Sequence, residues 1–430
     1  MTIVQRDRFI KNETPFGDLP EGWALPRVSD LIELNYGKGL KQSDRKVGSV
    51  PVYGSNGVVG KHDVPLTKGP SIIIGRKGSV GAVHFSPMPC WPIDTTYYID
   101  NFSGLNARFL MHALRNLDLA DLDTSTAIPG LNRNDIYEQK VPLPPLNEQK
   151  RIVAKVEELL ARVNATKERL AKVLLVLKRF RQAVLAAACS GRLTEAWREA
   201  RGDTNRNKWV TADFFDFCIL QRGYDLPIAK REDGPYPIVT SGGVIAYHSQ
   251  YKMSGPGVLV GRSGSIGKVF YVEDNFWPHN TTLFVKDFKG NIAKFVYYFL
   301  LGFDFQQFSA STAVPTLNRN NLRDTLVEVP PVEEQNEIVR RVESMFKLAD
   351  AVKKRVAFAT ARAKKLTQAI LAKAFRGELV PTEAELARRE RRSYEPASKL
   401  LAHIKSDKEM NEISVKLHHK LDHKKRSKPR

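Results

Sequence analysis

Two stretches of the chain place apolar residues at alternating steps of four and three. The first runs Ile152, Val156, Leu159, Val163, Thr166, Leu170, Val173, Leu177, Phe180 and Val184. The second runs Ile338, Val342, Met345, Ala349, Val352, Val356, Ala359, Ala363, Leu366 and Ile370. That spacing is the seam of a coiled coil. From Asn147 no proline or glycine appears until Gly191, and from Val332 none until Gly377. Each run predicts one helix of about 38 residues, roughly 55 Å long, closed by its glycine. Two matching seams in one chain pack most simply on each other. Extra apolar residues beside the seam, Leu160, Leu174 and Val176 among them, predict a further face that docks partner helices.

The remaining sequence has a different texture. From Trp23 to Val141 and from Trp209 to Val329 it is rich in glycine, proline, aromatic and β-branched residues. Runs such as Ser71–Ile74 and Val258–Val260 predict short strands between glycine turns. Asn106–Leu117 and Ile292–Leu301 predict a helix in each part. The class expected is α+β, two similar globular α/β domains joined by the two long helices. The two halves are copies of each other. Gly75-Arg-Lys-Gly-Ser-Val-Gly81 returns 186 positions later as Gly261-Arg-Ser-Gly-Ser-Ile-Gly267. Trp91-Pro-Ile-Asp-Thr-Thr96, Ser125–Asn134 and Pro144–Gln149 return at the same offset, as does Trp23 as Trp209. A period this long marks a duplicated domain with pseudo-twofold character rather than a solenoid, whose units run to about 20–50 residues.

Charge narrows the partner. A net charge of +20 and 67 Lys and Arg residues point to a polyanion. The three cysteines, Cys90, Cys189 and Cys218, have neither metal-ligand nor disulfide spacing and suit a reduced, cytosolic compartment. The charged stretch Met1–Glu13 is not a signal peptide, and no apolar run is long enough to span a bilayer. The last 18 residues, Ile413–Arg430, hold seven Lys/Arg and one Asp; they form either a solvated tail or a phosphate or partner contact.

Catalytic chemistry is excluded by its missing parts. Gly261–Lys268 has five residues rather than four between Gly261 and Gly267, Val269 where a phosphate loop needs Ser or Thr, and Ala82 opposite Lys268. No Asn-Pro-Pro-Tyr or Asp-Pro-Pro-Tyr motif is present, and no histidine has a nucleophile matching it in both copies. The repeated glycine turn suits binding instead. It carries Arg76, Lys77 and Ser79 in one copy and Arg262, Ser263 and Ser265 in the other. Glycines let backbone amides approach a phosphate, and arginine can pair with guanine in the major groove. Asn132-Arg133-Asn134 and Asn318-Arg319-Asn320 either contact DNA backbone or cap the short element that follows. Thr95, Thr96, Thr281 and Thr282 are placed on a strand without an assigned role.

Val141–Val153, the helix after it and Ala188-Cys-Ser-Gly-Arg-Leu193 resemble the conserved region of type I restriction–modification specificity subunits. Val327–Val339 through Phe375-Arg-Gly-Glu-Leu379 resembles it again. The resemblance covers nearly the whole chain short of its basic tail. It implies an N-terminal arm (1–22), a first target recognition domain (23–145), a conserved helix (146–192), a second recognition domain with its lead-in (193–331), a second helix (332–380) and a tail (381–430). It further implies a non-catalytic subunit that reads a bipartite duplex DNA site and binds no cofactor or metal itself. The helices would pack antiparallel, space the domains and dock two methyltransferase and two restriction subunits. The complex would use S-adenosylmethionine, ATP and Mg²⁺, in the cytoplasm. The competing expectation is a basic coiled-coil scaffold that binds DNA without sequence preference.

Overall fold

The computed structural model describes residues 18–123, 130–202, 208–308 and 316–410. The Ser125–Pro129 and Ser311–Pro315 parts of the repeat, the arm up to Gly17 and the basic run Ile413–Arg430 lie outside the described residues. The chain divides into two compact units, Met1–Glu168 with Ala361–Arg430 (unit 1) and Arg169–Thr360 (unit 2).

Unit 1 opens with the short helix α1 (Val28–Leu31) and seven strands: β1 (Asn35–Tyr36), β2 (Val50–Gly54), β3 (Gly57–His62), β4 (Ser71–Gly75), β5 (Val83–Ser86), β6 (Trp91–Pro92) and β7 (Thr96–Ile99). They form an antiparallel sheet in the order β1-β7-β4-β5 and a smaller one in the order β3-β2-β6. Strand β4 carries an unbroken apolar run because it is covered on both sides. Ile72 and Ile74 join the main core with Phe109 and Leu110, while Ile73 packs with Tyr53 and Cys90. Helix α2 (Ala107–Asn116) covers the first face, its start capped by Asn106, whose side chain accepts from the amides of Arg108 and Phe109. Helices α3 (Arg133–Tyr137) and α4 (Leu146–Cys189) follow.

Unit 2 repeats the scheme. After α5 (Glu195–Glu199) come β8 (Val210–Asp213), α6 (Phe214–Phe217), β9 (Ile219–Arg222), β10 (Tyr236–Thr240), β11 (Gly243–His248), β12 (Gly257–Gly261), β13 (Val269–Val272), β14 (Trp277–Pro278), β15 (Thr282–Asp287), α7 (Ala293–Gly302), β16 (Leu326–Val329) and α8 (Val332–Phe375). Its sheets run β13-β12-β15-β9 and β11-β10-β14, strand for strand the order of unit 1. The β16-β8 ladder corresponds to two isolated bridges in unit 1, Ala24 with Leu143 and Arg27 with Lys140.

Helices α4 and α8 have 44 residues each, about 66 Å at full length, and both run antiparallel to each other wherever they meet. In unit 1, Lys167 Nζ donates to Thr367 Oγ1 at 3.2 Å while Arg151 meets Glu383 at 2.7 Å. In unit 2, Arg181 pairs with Asp350 at 2.6 Å and Arg341 donates to the Leu193 carbonyl. Gly191 and Gly377, at φ 74° and 75°, terminate them as expected.

The seam departs from the expected one at a single step in each helix. Ile152, Val156, Val163, Ile338, Val342 and Val356 are buried, and Leu159, Leu170, Leu177, Met345 and Val352 are half-buried. Leu366, assigned to the seam of the second helix from its spacing, is 50% exposed, and Thr166, assigned to that of the first, is exposed too. Lys167 and Thr367 take those places. A straight helix drifts by about 20° per heptad against a strict 3.5-residue repeat, so the contact line moves one residue along.

Part of the chain beyond the repeat belongs to the folded body. Helix α9 (Glu383–Glu390) and the helical run 397–410 pack on unit 1, with Ala397 and Ile404 in its core. Lys408 Nζ donates to the carbonyls of Ser29 and Ile32. No helix among the described residues is long and apolar enough to cross a membrane.

Candidate nucleic-acid interface

The glycine turn after β4 and β12 folds back on itself. A Cβ on Gly75 would lie 2.1 Å from the Ser79 carbonyl oxygen, and one on Gly261 would lie 2.0 Å from that of Ser265, so no other residue fits. The Thr95 carbonyl accepts from the amides of Arg76 and Lys77, and the Thr281 carbonyl from those of Arg262 and Ser263. Thr95 and Thr281 therefore have a role that sequence reasoning did not assign. The amides of Val80, Gly81 and Ala82 are likewise bonded within the turn. What the turn offers outward is mainly side chains rather than a cradle of amides.

Asn132 and Asn318 cap the elements that follow them, accepting from the amides of Asn134 and Asn320 at 3.0 and 3.1 Å. The structural alternative holds for these asparagines. Their neighbours Arg133 and Arg319 each spend one nitrogen on a backbone carbonyl, Leu34 and Leu220 respectively. Those anchors are again 186 residues apart.

In unit 2 the turn and the capped element meet the end of β9 in a cleft of about 790 Å³, lined by Gln221, Arg222, Arg262, Leu283, Asn318 and Arg319 among others. No carboxylate lines it. Burial, with the Arg222 charge second, pulls the Arg262 guanidinium below its usual pKa. Ser263 and Ser265 lie on the turn itself, as the exposed Lys77 and Ser79 do in unit 1. Unit 1 brings together the matching residues with aromatic rings among them, and keeps a bond that unit 2 also makes, where Arg262 donates to the Asn280 carbonyl at 3.2 Å. Arg76 donates to the Asp94 carbonyl at 2.8 Å and lies 5.5 Å over the ring of Tyr36 and 6.0 Å over that of Tyr97. Arg133 lies 5.3 Å over Tyr36 from its own side. Burial first, and the neighbouring Tyr36 next, push the Tyr97 hydroxyl up to about 12.

Each of these arginine frames is part of a domain fastened to a long helix through the Pro-Pro-x-x-Glu-Gln segment. Gln149 accepts from the Asn106 amide at the start of α2 and donates to the Pro144 carbonyl; Gln335 does the same with Ile292 and Pro330. Glu148 accepts from Trp23 Nε1 at 3.1 Å and Glu334 from Trp209 Nε1 at 2.8 Å. Arg108 pairs with Glu157 at 2.6 Å, as Lys294 pairs with Glu343 at 2.7 Å. The register of Trp23 with Trp209 was the sequence signal for this junction. The helices also carry unpaired apolar surface in unit 2, where Leu174, Leu175, Val176, Leu348 and Phe358 are exposed.

Among the described residues no group of three or more His, Cys, Asp or Glu could hold a metal ion. The glycine turn, its arginine and the capped Asn-Arg pair thus recur in two α+β domains, each joined to the long paired helices. The model for the type I restriction modification DNA specificity domain matches residues 20–175 and again 207–357. The EcoKI specificity subunit of Escherichia coli K12 is 30% identical over 431 residues, covering 84% of this chain and 90% of that protein. The EcoBI specificity subunit of Escherichia coli is 35% identical over 312 residues, 64% of this chain and 66% of that protein. The HsdS subunit from Thermoanaerobacter tengcongensis shares the fold with a TM-score of 0.51 at 20% identity, covering 86% of this chain and all of that one. A structure from a study of type I system assembly and conformational transition shares it at 0.66 and 19% identity, covering 84% of this chain and all of that one. The chain belongs to the type I restriction–modification DNA specificity family. In that role it is a non-catalytic subunit that binds DNA and assembles with methyltransferase and restriction subunits.

Proposed function

We propose that the unit 2 cleft and the matching arginine frame of unit 1 are the DNA-contacting faces, one per half of a bipartite site. Arg76, Lys77, Ser79 and Arg133 serve one half, and Arg262, Ser263, Ser265 and Arg319 the other. Asn132 and Asn318 act by holding Arg133 and Arg319 in place. The observation that carries this reading is the recurrence of the same arginine frame at a constant offset of 186 residues, since a contact made twice needs the same groups twice. Helices α4 and α8 set the half-site separation, near one turn of DNA or about 34 Å. The exposed apolar residues of those helices dock methyltransferase subunits, two per complex, with two restriction subunits beside them. S-adenosylmethionine, ATP and Mg²⁺ are used by those partners, in the cytoplasm.

The test exchanges residues 23–142 with 209–328 in the chain co-expressed with its methyltransferase partner, followed by methylation mapping. The half-sites should trade places with an unchanged spacer. Arg76→Ala and Arg262→Ala should each weaken binding of the assembled complex. Unaltered half-site order after the exchange would refute the assignment of one half-site to each domain. A basic scaffold without sequence preference would instead show only a steep loss of binding with salt.

A further inference from the structure

The two sites share an arginine frame and differ around it at several places, Asn35 for Gln221, Tyr36 for Arg222 and Tyr97 for Leu283 among them. Arg76 matches Arg262, Asn132 matches Asn318, and Arg133 matches Arg319. Position 36 does not match position 222: Tyr36 ends β1 and Arg222 ends β9, each paired across the sheet with the same station of the neighbouring strand, Tyr97 and Leu283.

Among the residues lining the unit 2 cleft, Arg222 is the one charged residue whose counterpart is uncharged, and this changes what each site presents. Arg222 is exposed and has no hydrogen-bond or ion-pair partner among the described residues, and Arg262 and Arg319 stand beside it with no carboxylate lining the cleft. Three guanidinium groups held together without a counter-charge await an acceptor-rich ligand. In unit 1 the ring of Tyr36 is 54% exposed, and Arg76 and Arg133 both lie over it. The two arginines there rest on an aromatic face, and a ring with a hydroxyl stands where unit 2 has a free fork.

Contacts to phosphate fix register and carry no sequence, so a protein that reads two half-sites can make them with the same residues twice. Base contacts must differ if the half-sites differ. The shared arginines fit the first task and the odd position fits the second. We propose that Arg222 and Tyr36 are specificity-determining residues. Arg222 places its fork on the O6 and N7 edge of a guanine in one half-site, and Tyr36 makes the corresponding position of the other half-site read a different base. This rests on the assignment of the two sites to DNA.

The test uses the full chain assembled with its methyltransferase partner and a pool of duplexes randomised across both half-sites, with methylated molecules identified by sequencing. Arg222→Ala should lower the preference for guanine at one base pair by roughly ten- to a hundredfold. The other half-site and the salt slope should not move. Arg222→Gln should turn that preference toward adenine, which glutamine pairs through N6 and N7. Tyr36→Arg should alter one base pair of the opposite half-site. Equal weakening on every sequence, with a shallower salt slope, would make Arg222 a phosphate contact and overturn the proposal, as would unchanged preference in all three variants. A wild-type complex without any base preference would instead sink the assignment of the two sites to DNA.

Discussion

Replacing Glu334 tests whether the second recognition domain is locked to its helix by a buried charge. Glu334 is 2% exposed and accepts from Trp209 Nε1, from Thr194 Oγ1 at 2.6 Å and from the Arg198 guanidinium, itself buried. Glu334→Ala strands that guanidinium, whose remaining partners include the Gly191 carbonyl and the Thr194 hydroxyl. Removing one member of a buried ion pair costs about 3–5 kcal/mol. The equivalent Glu148 accepts from Trp23 Nε1 and the Glu383 amide, so Glu148→Ala strands two neutral donors and no cation. Its cost should be about 1–3 kcal/mol. Urea unfolding of the full chain measures both, and at a slope of about 1–3 kcal/mol per M the Glu334 variant should move its midpoint by more than about 1 M. Pairing Glu334→Gln with Arg198→Met should recover most of the loss, because the unpaired charge goes with the arginine. If Glu334→Ala costs no more than Glu148→Ala, the buried cation is not what fastens this junction.

Val156→Asp puts a charge at a fully buried place in the unit 1 core and should cost several kcal/mol; an unchanged melting temperature would place Val156 outside the packing it is assigned to. Glu148 has its carboxyl pushed up to about 7 by burial, against the pull of the Glu383 amide and Trp23. Its folded value lies above the unfolded one near 4.5, so its contribution to stability is complete below pH 4.5 and lost as pH rises through 7. Denaturation midpoints measured from about pH 5 to 8 should therefore fall more steeply with pH in the wild type than in Glu148→Gln. Matched four-residue insertions after Thr166 and Leu366 lengthen both helices by about 6 Å. Methylation mapping should then show a spacer longer by one or two base pairs with both half-sites unchanged, and altered bases at an unaltered spacing would exclude the helices as the spacer.

Duplication and periodicity made the long elements legible: the constant offset revealed two domains, and the steps of four and three marked α4 and α8. The seam was legible only as far as a strict heptad describes a real helix, which is why Leu366 was misplaced and Thr367 missed. The glycine turn and the Asn-Arg pairs could be singled out because they recur. Tyr36 and Arg222 could not, since what distinguishes them is that they differ between copies. Nor does linear spacing reveal that the end of β9 meets residues 262 and 319. The junction through Glu148 and Glu334 left a trace in the register of Trp23 and Trp209, but its hydrogen bonds span 125 residues in each copy.

Unit 2 is one unbroken stretch of chain, whereas unit 1 is assembled from both ends of it. Ala397 and Ile404 are among the last described residues and belong to the same core as Val28 and Leu31. On the ribosome, domains generally mature in the order in which they emerge. Here that order is reversed: the stretch that builds unit 2 is complete while the first-made strands still lack their closing helices. Unit 2 can thus close before unit 1, and a chain cut back before residue 397 would keep unit 2 whole while leaving unit 1 without Ala397 and Ile404.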